Sequence, residues 1–181
     1  DFIEGDISVS GGSLSNFAAS SSTVYTATFT PTADSTTDGV ISVGSSKFSD
    51  SAGNENADGS DSNNTLTLSV DTVRPTIAIT SSASSLKAGE TTTVTFTLSE
   101  AATDFVESDI SVSGGSLSNF AASSSTVYTA TFTPTDSSTT DGVISVASSK
   151  FSDSAGNENA DGSDSNNTLT LSVDTVRPTI A

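Results

Sequence analysis

The sequence predicts an all-β protein built from repeated domains, and three observations lead to this prediction. Short runs of alternating apolar and polar residues, rich in Thr and Val, recur along the 181 residues. Turn-forming Gly, Ser, Asn, Asp and Pro lie between these runs, and the chain shows no helix-length apolar pattern. The sequence also matches itself at an offset of 103 residues, which places Asp1 over Asp104.

The repeat sets the expected domain organisation. Over residues 1–78, 73 positions are identical in the second copy, and five differ: Ile3/Val106, Gly5/Ser108, Ala33/Asp136, Asp34/Ser137 and Gly44/Ala147. A period this long does not suit a solenoid and fits an array of whole domains. Because "DTVRPTIA" occurs at 71–78 and again at 174–181, we expect a complete repeat at 71–173. Residues 1–70 are then a partial repeat that lacks its first two strands, and residues 174–181 begin the next repeat.

The complete repeat contains seven candidate strands. They lie at 74–80, 92–99, 109–114, 116–120, 126–133, 142–147 and 168–173, and the run at 116–120 is the weakest. Alternation of apolar and polar residues in such runs indicates half-buried antiparallel strands. Seven strands in a segment of about 100 residues predict an immunoglobulin-like β-sandwich.

The composition excludes several classes of function. Asp and Glu outnumber Lys and Arg by 22 to 5, and the formal net charge is −17. This charge argues against binding to nucleic acid or to anionic membranes and favours cations as ligands. The chain has no Cys and no His, so disulfides, thiolate metal sites and the usual general base are absent. We therefore expect no enzymatic activity and no small-molecule substrate. No apolar run is long enough to insert into a membrane.

Two identical acidic segments dominate the charge pattern. "FSDSAGNENADGSDSNN" occupies residues 48–64 and recurs at 151–167, with four carboxylates, four Asn and no Lys or Arg in each copy. If successive strands reverse direction, the acidic loops at 99–109 and 148–167 lie at the same end of the sandwich. The loops at 81–91 and 134–141 then lie at the opposite end. Carboxylates that converge in this way repel one another unless a cation binds among them.

We therefore predict several Ca²⁺ ions per repeat, because Ca²⁺ accepts about six to eight oxygen ligands whereas Mg²⁺ retains more water. The candidate ligands at the first end are Asp71, Glu100, Asp104, Asp109, Asp153, Asp161 and Asp164. Those at the opposite end are Asp136, Asp141 and Asp174. The counterparts in the partial repeat are Asp1, Asp6, Asp50, Asp58 and Asp61. Glu90 and Glu107 are interpreted as surface charge. The alternative is that these loops are solvated turns without a metal.

Four segments carry a family resemblance: "DTVRPT", "FTLSEAATDF", "DISVSGG" and "FSDSAGNEN". They resemble the bacterial Ig-like tandem repeats of giant secreted adhesins of the RTX type. In that family an Asp-Thr-x-x-Pro linker precedes the first strand, and an Asp-x-Ala-Gly-Asn loop joins the last two strands. The resemblance covers the whole repeat. Arg74 before Pro75 departs from the family's commonest linker.

The resemblance implies a set of metal ligands and a function. It implies metal contacts from Asp71, Glu100, Asp153 and Asn157, with Asp50 and Asn54 in the first copy and Asp174 in the next linker. It also implies a Ca²⁺-stabilised extracellular spacer whose partners are neighbouring repeats of the same chain, joined through Ca²⁺-bridged linkers. The short linker contains neither Gly nor Ser and includes Pro178, which is typical of a stiff connection.

A ligand-binding module is the alternative function. Thr residues at T-x-T spacing, about 6.7 Å along a strand, recur in "TTTVTFT" and "YTATFT" and offer a match to an ice surface. Thr is also a common outward-facing residue of soluble β-sandwiches, and the runs lie on separate twisted strands. The sequence therefore favours the spacer.

Overall fold

The chain folds into two compact β-rich units. A computed structural model describes residues 1–58, 61–161 and 164–180. Unit 1 comprises Asp1–Val73 and unit 2 comprises Arg74–Ala181. Counterpart residues of the two units differ by 103 in number. The predicted all-β fold is confirmed.

Unit 1 has two small antiparallel sheets in its described residues. Its strands are β1 (Ile7–Ser10), β2 (Gly12–Ala19), β3 (Tyr25–Pro31), β4 (Gly39–Val43) and β5 (Thr65–Leu68). Strands β1, β4 and β5 form one sheet in the order β1-β4-β5, and β2 pairs with β3 in the other. Short 3₁₀ turns at Glu4–Asp6 and Ser62–Asn64 precede β1 and β5.

The described residues of unit 2 form two four-stranded sheets. Its strands are β6 (Ile77–Ser81), β7 (Ser85–Lys87), β8 (Thr92–Leu98), β9 (Ile110–Ser113), β10 (Gly115–Ala122), β11 (Val127–Pro134), β12 (Gly142–Val146) and β13 (Thr168–Asp174). One sheet has the order β10-β11-β8-β6 and the other has the order β7-β13-β12-β9. Turns of 3₁₀ helix at Glu107–Asp109 and Ser165–Asn167 precede β9 and β13.

All seven strands predicted for the complete repeat are present, but β7 was not predicted. Residues 81–91 were expected to form a loop, and β7 lies inside that loop. It pairs in parallel with β13, with Leu86 opposite Val173, so the expectation of purely antiparallel strands is wrong at this position. A segment of three residues with a single apolar side chain carries no alternation from which a strand can be predicted.

The core of unit 2 follows the predicted alternation. In β8, Val94, Phe96 and Leu98 are buried, whereas Thr93 and Thr97 on the other face are exposed. Buried side chains of the second sheet join the same cluster, among them Ile144, Val146 and Leu171. The two sheets therefore enclose one hydrophobic core, as in a β-sandwich.

Phe105 organises the aromatic part of that core from within an acidic loop. Its exposed fraction is 4 %. Its ring centroid lies 5.1–5.9 Å from those of Tyr128, Phe151, Phe120 and Phe96, in edge-to-face geometry. This arrangement is favourable for aromatic pairs. The loop between β8 and β9 is thus anchored by a core side chain.

Two glycines allow close packing at one end of unit 2. Gly114 has a φ of +71°, and a Cβ at this position would lie 2.2 Å from the carbonyl oxygen of Asp141. A Cβ at Gly142 would lie 2.4 Å from Cζ of Phe132. Phe132 is completely buried, so its ring occupies space that any other residue at position 142 would need.

Candidate metal centre and linker attachment

The two acidic loops of unit 2 meet through Asp104 and Ser152. Asp104 lies between β8 and β9, and Ser152 lies between β12 and β13. The backbone N–H of Ser152 donates to Oδ1 of Asp104 at 2.9 Å, and the Ser152 hydroxyl donates to Oδ2 at 2.6 Å. The prediction that these loops share one end of the sandwich is therefore confirmed.

The same contact holds the Asp104 carboxylate in its ionised form. Burial alone raises the pKa of this carboxyl, but the hydrogen bonds from Ser152 outweigh burial and bring the pKa below its ordinary value. Unit 1 contains the same clamp. Ser49 donates to Asp1 through its backbone N–H at 2.9 Å and through its hydroxyl at 2.7 Å.

Asp153 is the most strongly organised carboxylate of the loop. It is 5 % exposed. Its Oδ1 accepts the backbone N–H groups of Ala155 and Asn157 at 2.8 and 2.9 Å, and its Oδ2 accepts Nδ2 of Asn157 at 2.8 Å. Burial raises the pKa of Asp153, but the hydrogen bonds, led by the Asn157 side chain, lower it below its ordinary value. The carboxylate is therefore ionised and fixed in orientation.

Glu100 approaches Asp153 within unit 2. One carboxylate oxygen of Glu100 lies within 4.8 Å of one carboxylate oxygen of Asp153. Two ligands bound to the same Ca²⁺ at about 2.3–2.6 Å lie up to about 5 Å apart, so this spacing suits a shared ion. The donors are hard oxygens, which also suits Ca²⁺.

Other predicted ligands of unit 2 have protein donors of their own. Asp161 is 1 % exposed, and its two oxygens accept the backbone N–H of Ile77 at 2.7 Å and Nδ2 of Asn159 at 2.6 Å. Asp109 accepts the backbone N–H of Val106 at 2.9 Å and so caps a 3₁₀ turn. Asp164 is exposed, immediately before the turn that leads into β13.

The opposite end of unit 2 is also acidic. Asp136 lines a cavity of about 230 Å³ together with Glu90 and Thr175, which confirms that loops 81–91 and 134–141 share this end. Asp141 is exposed, and its Oδ1 accepts the backbone N–H of Val173 at 3.4 Å. Asp174 follows in the next linker, where its Oδ1 accepts the backbone N–H of Val176 at 3.1 Å.

Unit 1 repeats these arrangements at its own positions. Asp50 accepts the backbone N–H and Nδ2 of Asn54, both at 2.9 Å, and these bonds lower the pKa of Asp50. Asp6 accepts the backbone N–H of Ile3 at 2.8 Å, and Asp58 accepts Nδ2 of Asn56 at 2.7 Å. Two further predicted ligands are Asp61, which is exposed, and Asp71, whose Oδ1 accepts the backbone N–H of Val73 at 3.1 Å.

A threonine, buried at Thr175 and half-buried at Thr72, attaches each linker to the unit that precedes it. Thr175 is 2 % exposed, and its hydroxyl donates to the carbonyl oxygen of Thr135 at 2.7 Å. Its backbone N–H donates to the carbonyl oxygen of Ser138 at 2.9 Å. In unit 1, Thr72 makes the same two bonds, to Thr32 and Ser35, at 2.7 and 3.0 Å.

Sequence reasoning missed Thr175, Ser152 and Asn159. Asn159 is fully buried, and its side chain makes four hydrogen bonds, with Lys150, Phe151, Ala147 and Asp161. Asn157 and Asn159 stand two residues apart in the same Asn-rich run, and composition does not distinguish the half-buried amide of Asn157, which donates to Asp153, from the fully buried amide of Asn159. The recurrence of the Asp-Thr dipeptide in both linkers was the available signal for Thr72 and Thr175.

Comparison with known protein families identifies the class of protein to which this chain belongs. The family model for the bacterial Ig-like domain matches residues 1–67 and 71–170. The chain therefore belongs to the bacterial Ig-like domain family, and the predicted immunoglobulin-like fold is confirmed. Among the described residues, no helix is long and apolar enough to cross a membrane.

One solved structure of similar fold is FdeC, an adhesin of Escherichia coli. The comparison gives a TM-score of 0.50 at 16 % sequence identity and covers 93 % of this chain. It covers 53 % of the FdeC chain, so this chain spans about half the length of that structure. At this identity the likeness concerns the fold alone. No curated protein matches the chain.

Proposed function

We propose that this chain is a spacer segment of a large secreted bacterial adhesin, and that its repeats form a stiff extracellular rod. Membership of the bacterial Ig-like family and the fold shared with an adhesin support this assignment. We further propose, on the resemblance of the near-identical repeats alone, that the segment corresponds to the extender region of an adhesin such as the Marinomonas primoryensis ice-binding adhesin. In this proposal the chain itself does not contact ice or a host ligand, and a distal domain binds the target.

The attachment of the linker between units carries the proposal. On one side, Thr72 is bonded to Thr32 and Ser35 of unit 1. On the other side, the carbonyl oxygen of Pro75 accepts the backbone N–H of Ala160 at 3.0 Å within unit 2. Val73 and Arg74 are the residues between these two attachment points.

So short a segment has few soft dihedral angles. Each residue contributes two, and Arg74 precedes a proline, which disfavours its helical region and restricts it to extended conformations. Flexible tethers are longer and rich in Gly and Ser, and neither is found between Thr72 and Pro75. Restricted linkers of this kind favour a spacer over a set of independently tumbling domains.

We further propose that Ca²⁺ binds between the linker and the acidic loops. Glu100, Asp153 and Asn157 are the proposed ligands of unit 2, and Asp71 is the proposed ligand of the linker. Asp71 lies three residues before Arg74, and an extended chain covers about 10 Å in three residues, so its carboxylate is within reach of the loop that binds Pro75. The remaining predicted positions, Asp136, Asp141 and Asp174 among them, stay predictions.

Distance measurements between two spin labels test the stiffness. The chain has no Cys, so Ser20→Cys and Ser123→Cys, both at exposed positions, introduce defined labelling sites in units 1 and 2. With Ca²⁺ we expect a narrow distance distribution, and with a chelator a broader one. Asp71→Asn should broaden the distribution in the presence of Ca²⁺, whereas Glu90→Gln, at a surface pair with Lys87, should not. A broad distribution under every condition would contradict the spacer, and a narrow one unaffected by chelation would contradict the role of Ca²⁺ alone.

A further inference from the structure

The acidic segment of each repeat leads into a sequence motif whose first residue has no part in the core or in the proposed metal sites. The motif is Asn-x-Thr, with a middle residue other than proline, and it occurs at 63–65 and at 166–168. In secreted proteins this pattern marks an acceptor for N-linked glycosylation, in which a sugar is attached to the side-chain nitrogen of the first Asn. Because the chain is rich in Ser and Thr, the positions of the side chains decide whether the motif is usable.

Asn166, the first residue of the motif in unit 2, has an accessible amide. The residue is exposed, and its side chain makes no hydrogen bond with the described residues. The other Asn side chains of unit 2 each donate a hydrogen bond within the protein, and they are Asn119, Asn157, Asn159 and Asn167. None of these four begins an Asn-x-Ser or Asn-x-Thr sequence. In the described part of unit 2, the one acceptor motif therefore coincides with the one unpartnered Asn amide.

The middle residue of the motif holds the turn in place, so the first residue is not needed for that purpose. Nδ2 of Asn167 donates to the carbonyl oxygen of Val146 at 3.0 Å, which fastens the turn to the end of β12. Asn64 makes the same bond with Val43 in unit 1, also at 3.0 Å, and Asn63 beside it is exposed. Both units therefore present the first Asn of the motif to solvent from an anchored turn.

The hydroxyl of the motif is accessible as well. Thr168 is exposed and has extended backbone angles, with φ −135° and ψ 128°. Its Oγ1 lies 3.4 Å from Oδ1 of Asn167, which is too long for a strong hydrogen bond between a hydroxyl and an oxygen. Thr65 is also exposed and makes the same contact with Asn64 at 3.4 Å. An enzyme that recognises both groups of the motif therefore finds both of them exposed in each unit.

We propose that Asn166 and its counterpart Asn63 are glycosylation sites, each of which carries an N-linked sugar. The donor is a sugar whose C1 is bonded to a phosphate oxygen, and a separate glycosyltransferase catalyses the transfer. The bond between C1 and that oxygen breaks, and the phosphate leaves with the electron pair. A bond forms between C1 and Nδ2 of the Asn, and the nitrogen loses one proton. This modification depends neither on Ca²⁺ nor on the proposed spacer function.

Mass spectrometry of peptides from the protein, isolated from the cells that naturally produce it, tests the proposal. We expect the peptides that contain residues 63–65 and 166–168 to be heavier by the mass of one or more sugar residues. Fragmentation that preserves the glycan should place the added mass on Asn63 and Asn166. Peptides without added mass would overturn the proposal, and so would a sugar attached instead to a Ser or Thr hydroxyl or to Asn167.

Variants produced in the same cells test whether the motif directs the modification. Thr168→Ala removes the hydroxyl of the motif and should abolish the sugar at Asn166, although Asn166 itself is retained. Thr170→Ala, at an exposed position of β13 outside the motif, is the control and should leave the sugar in place. Asn167 keeps its side-chain bond to Val146 in both variants, so loss of the sugar does not arise from loss of the turn. Equal modification of Asn166 in the two variants would overturn the proposal.

Discussion

The hydroxyl of Thr175 donates to the carbonyl oxygen of Thr135 at 2.7 Å, and the backbone N–H of Ser138 donates to the same hydroxyl at 2.8 Å. Both partners of Thr175 lie in the segment that joins β11 to β12. The segment that follows β13 is therefore fastened to unit 2 itself. This attachment is made by uncharged groups and requires no ion.

The first prediction concerns this attachment. Thr175→Val keeps the shape of the side chain but removes the hydroxyl. The backbone N–H of Ser138 then loses the hydroxyl oxygen that accepts its hydrogen bond. We expect a loss of about 1–3 kcal/mol in the unfolding free energy of unit 2. Thr170→Val, at an exposed position of β13, is the control and should change stability little. Urea denaturation followed by residue-resolved amide exchange makes the comparison, and equal effects of the two substitutions would contradict a role for the Thr175 hydroxyl.

The second prediction concerns Ca²⁺ and the stability of unit 2. At an affinity of about 0.1–1 mM, typical of extracellular sites, one ion at 10 mM Ca²⁺ stabilises the folded state by about 1.4–2.7 kcal/mol. We expect a chelator to lower the melting temperature and Glu100→Gln to reduce that difference. Glu107→Gln, at the exposed start of a 3₁₀ turn, is the control. A melting temperature that does not respond to chelation would exclude a stabilising calcium site.

The third prediction concerns acid. The folded-state pKa of Asp104 lies below the ordinary value of 3.8, so its hydrogen bonds to Ser152 contribute stability that is fully present above that pH. The contribution is lost as the pH falls through the lower, folded-state pKa, because the unfolded state binds its proton at a higher pH than the folded state does. Asp104→Asn should flatten the dependence of unfolding free energy on pH below about 4. The same dependence on pH for Asp104→Asn and for the unaltered chain would contradict this prediction.

The fourth prediction concerns packing. Gly142→Ala introduces a Cβ 2.4 Å from Cζ of the fully buried Phe132, so ring or backbone has to shift. Overpacking of this kind costs about 1–3 kcal/mol. The control is Gly44→Ala, because a Cβ there meets only Cε of Lys47, at 3.9 Å, and Ala147 already occupies the counterpart position. Circular dichroism melts of both variants give the comparison, and an unchanged melting temperature for Gly142→Ala would contradict the packing argument.

Most strands were predictable because their pattern is local. The alternation in "TTVTFTLS" identifies β8 and the face it buries, since successive side chains of a strand point in opposite directions. The run around Leu117 and Phe120 was weak for an identifiable reason: a register shift lies between Ser118 and Ala121, and Asn119 has a φ of +55°. Such a bulge interrupts the two-residue period. β7 depends on its pairing with β13, whose paired residues are 87 positions further along the chain, and no local pattern reports that pairing.

The candidate metal centre was predictable in its location but not in the role of each carboxylate. The shared end of the two acidic loops follows from alternating strand direction. Asp153 and Asp161 lie in the same loop and have the same chemistry, but Asp161 accepts a backbone N–H from β6 whereas Asp153 is held by its own loop next to Glu100. From the sequence, we expected a cation to offset the whole repulsion among these carboxylates. Backbone N–H groups offset part of it. The folded chain, and not the residue type, determines which carboxylate a backbone N–H points toward.

The parallel pairing of β7 with β13 determines how unit 2 responds to a pulling force. β7 belongs to the opening segment of the unit, and β13 ends it at Asp174, with Ser85, Leu86 and Lys87 opposite Ser172, Val173 and Asp174. Because the two strands run in the same direction, tension applied at the two termini drags them in opposite senses along their shared ladder. The hydrogen bonds are then loaded together in shear and do not open one after another. Under tension along the chain, unit 2 therefore has a short mechanical clamp between its opening segment and its last strand.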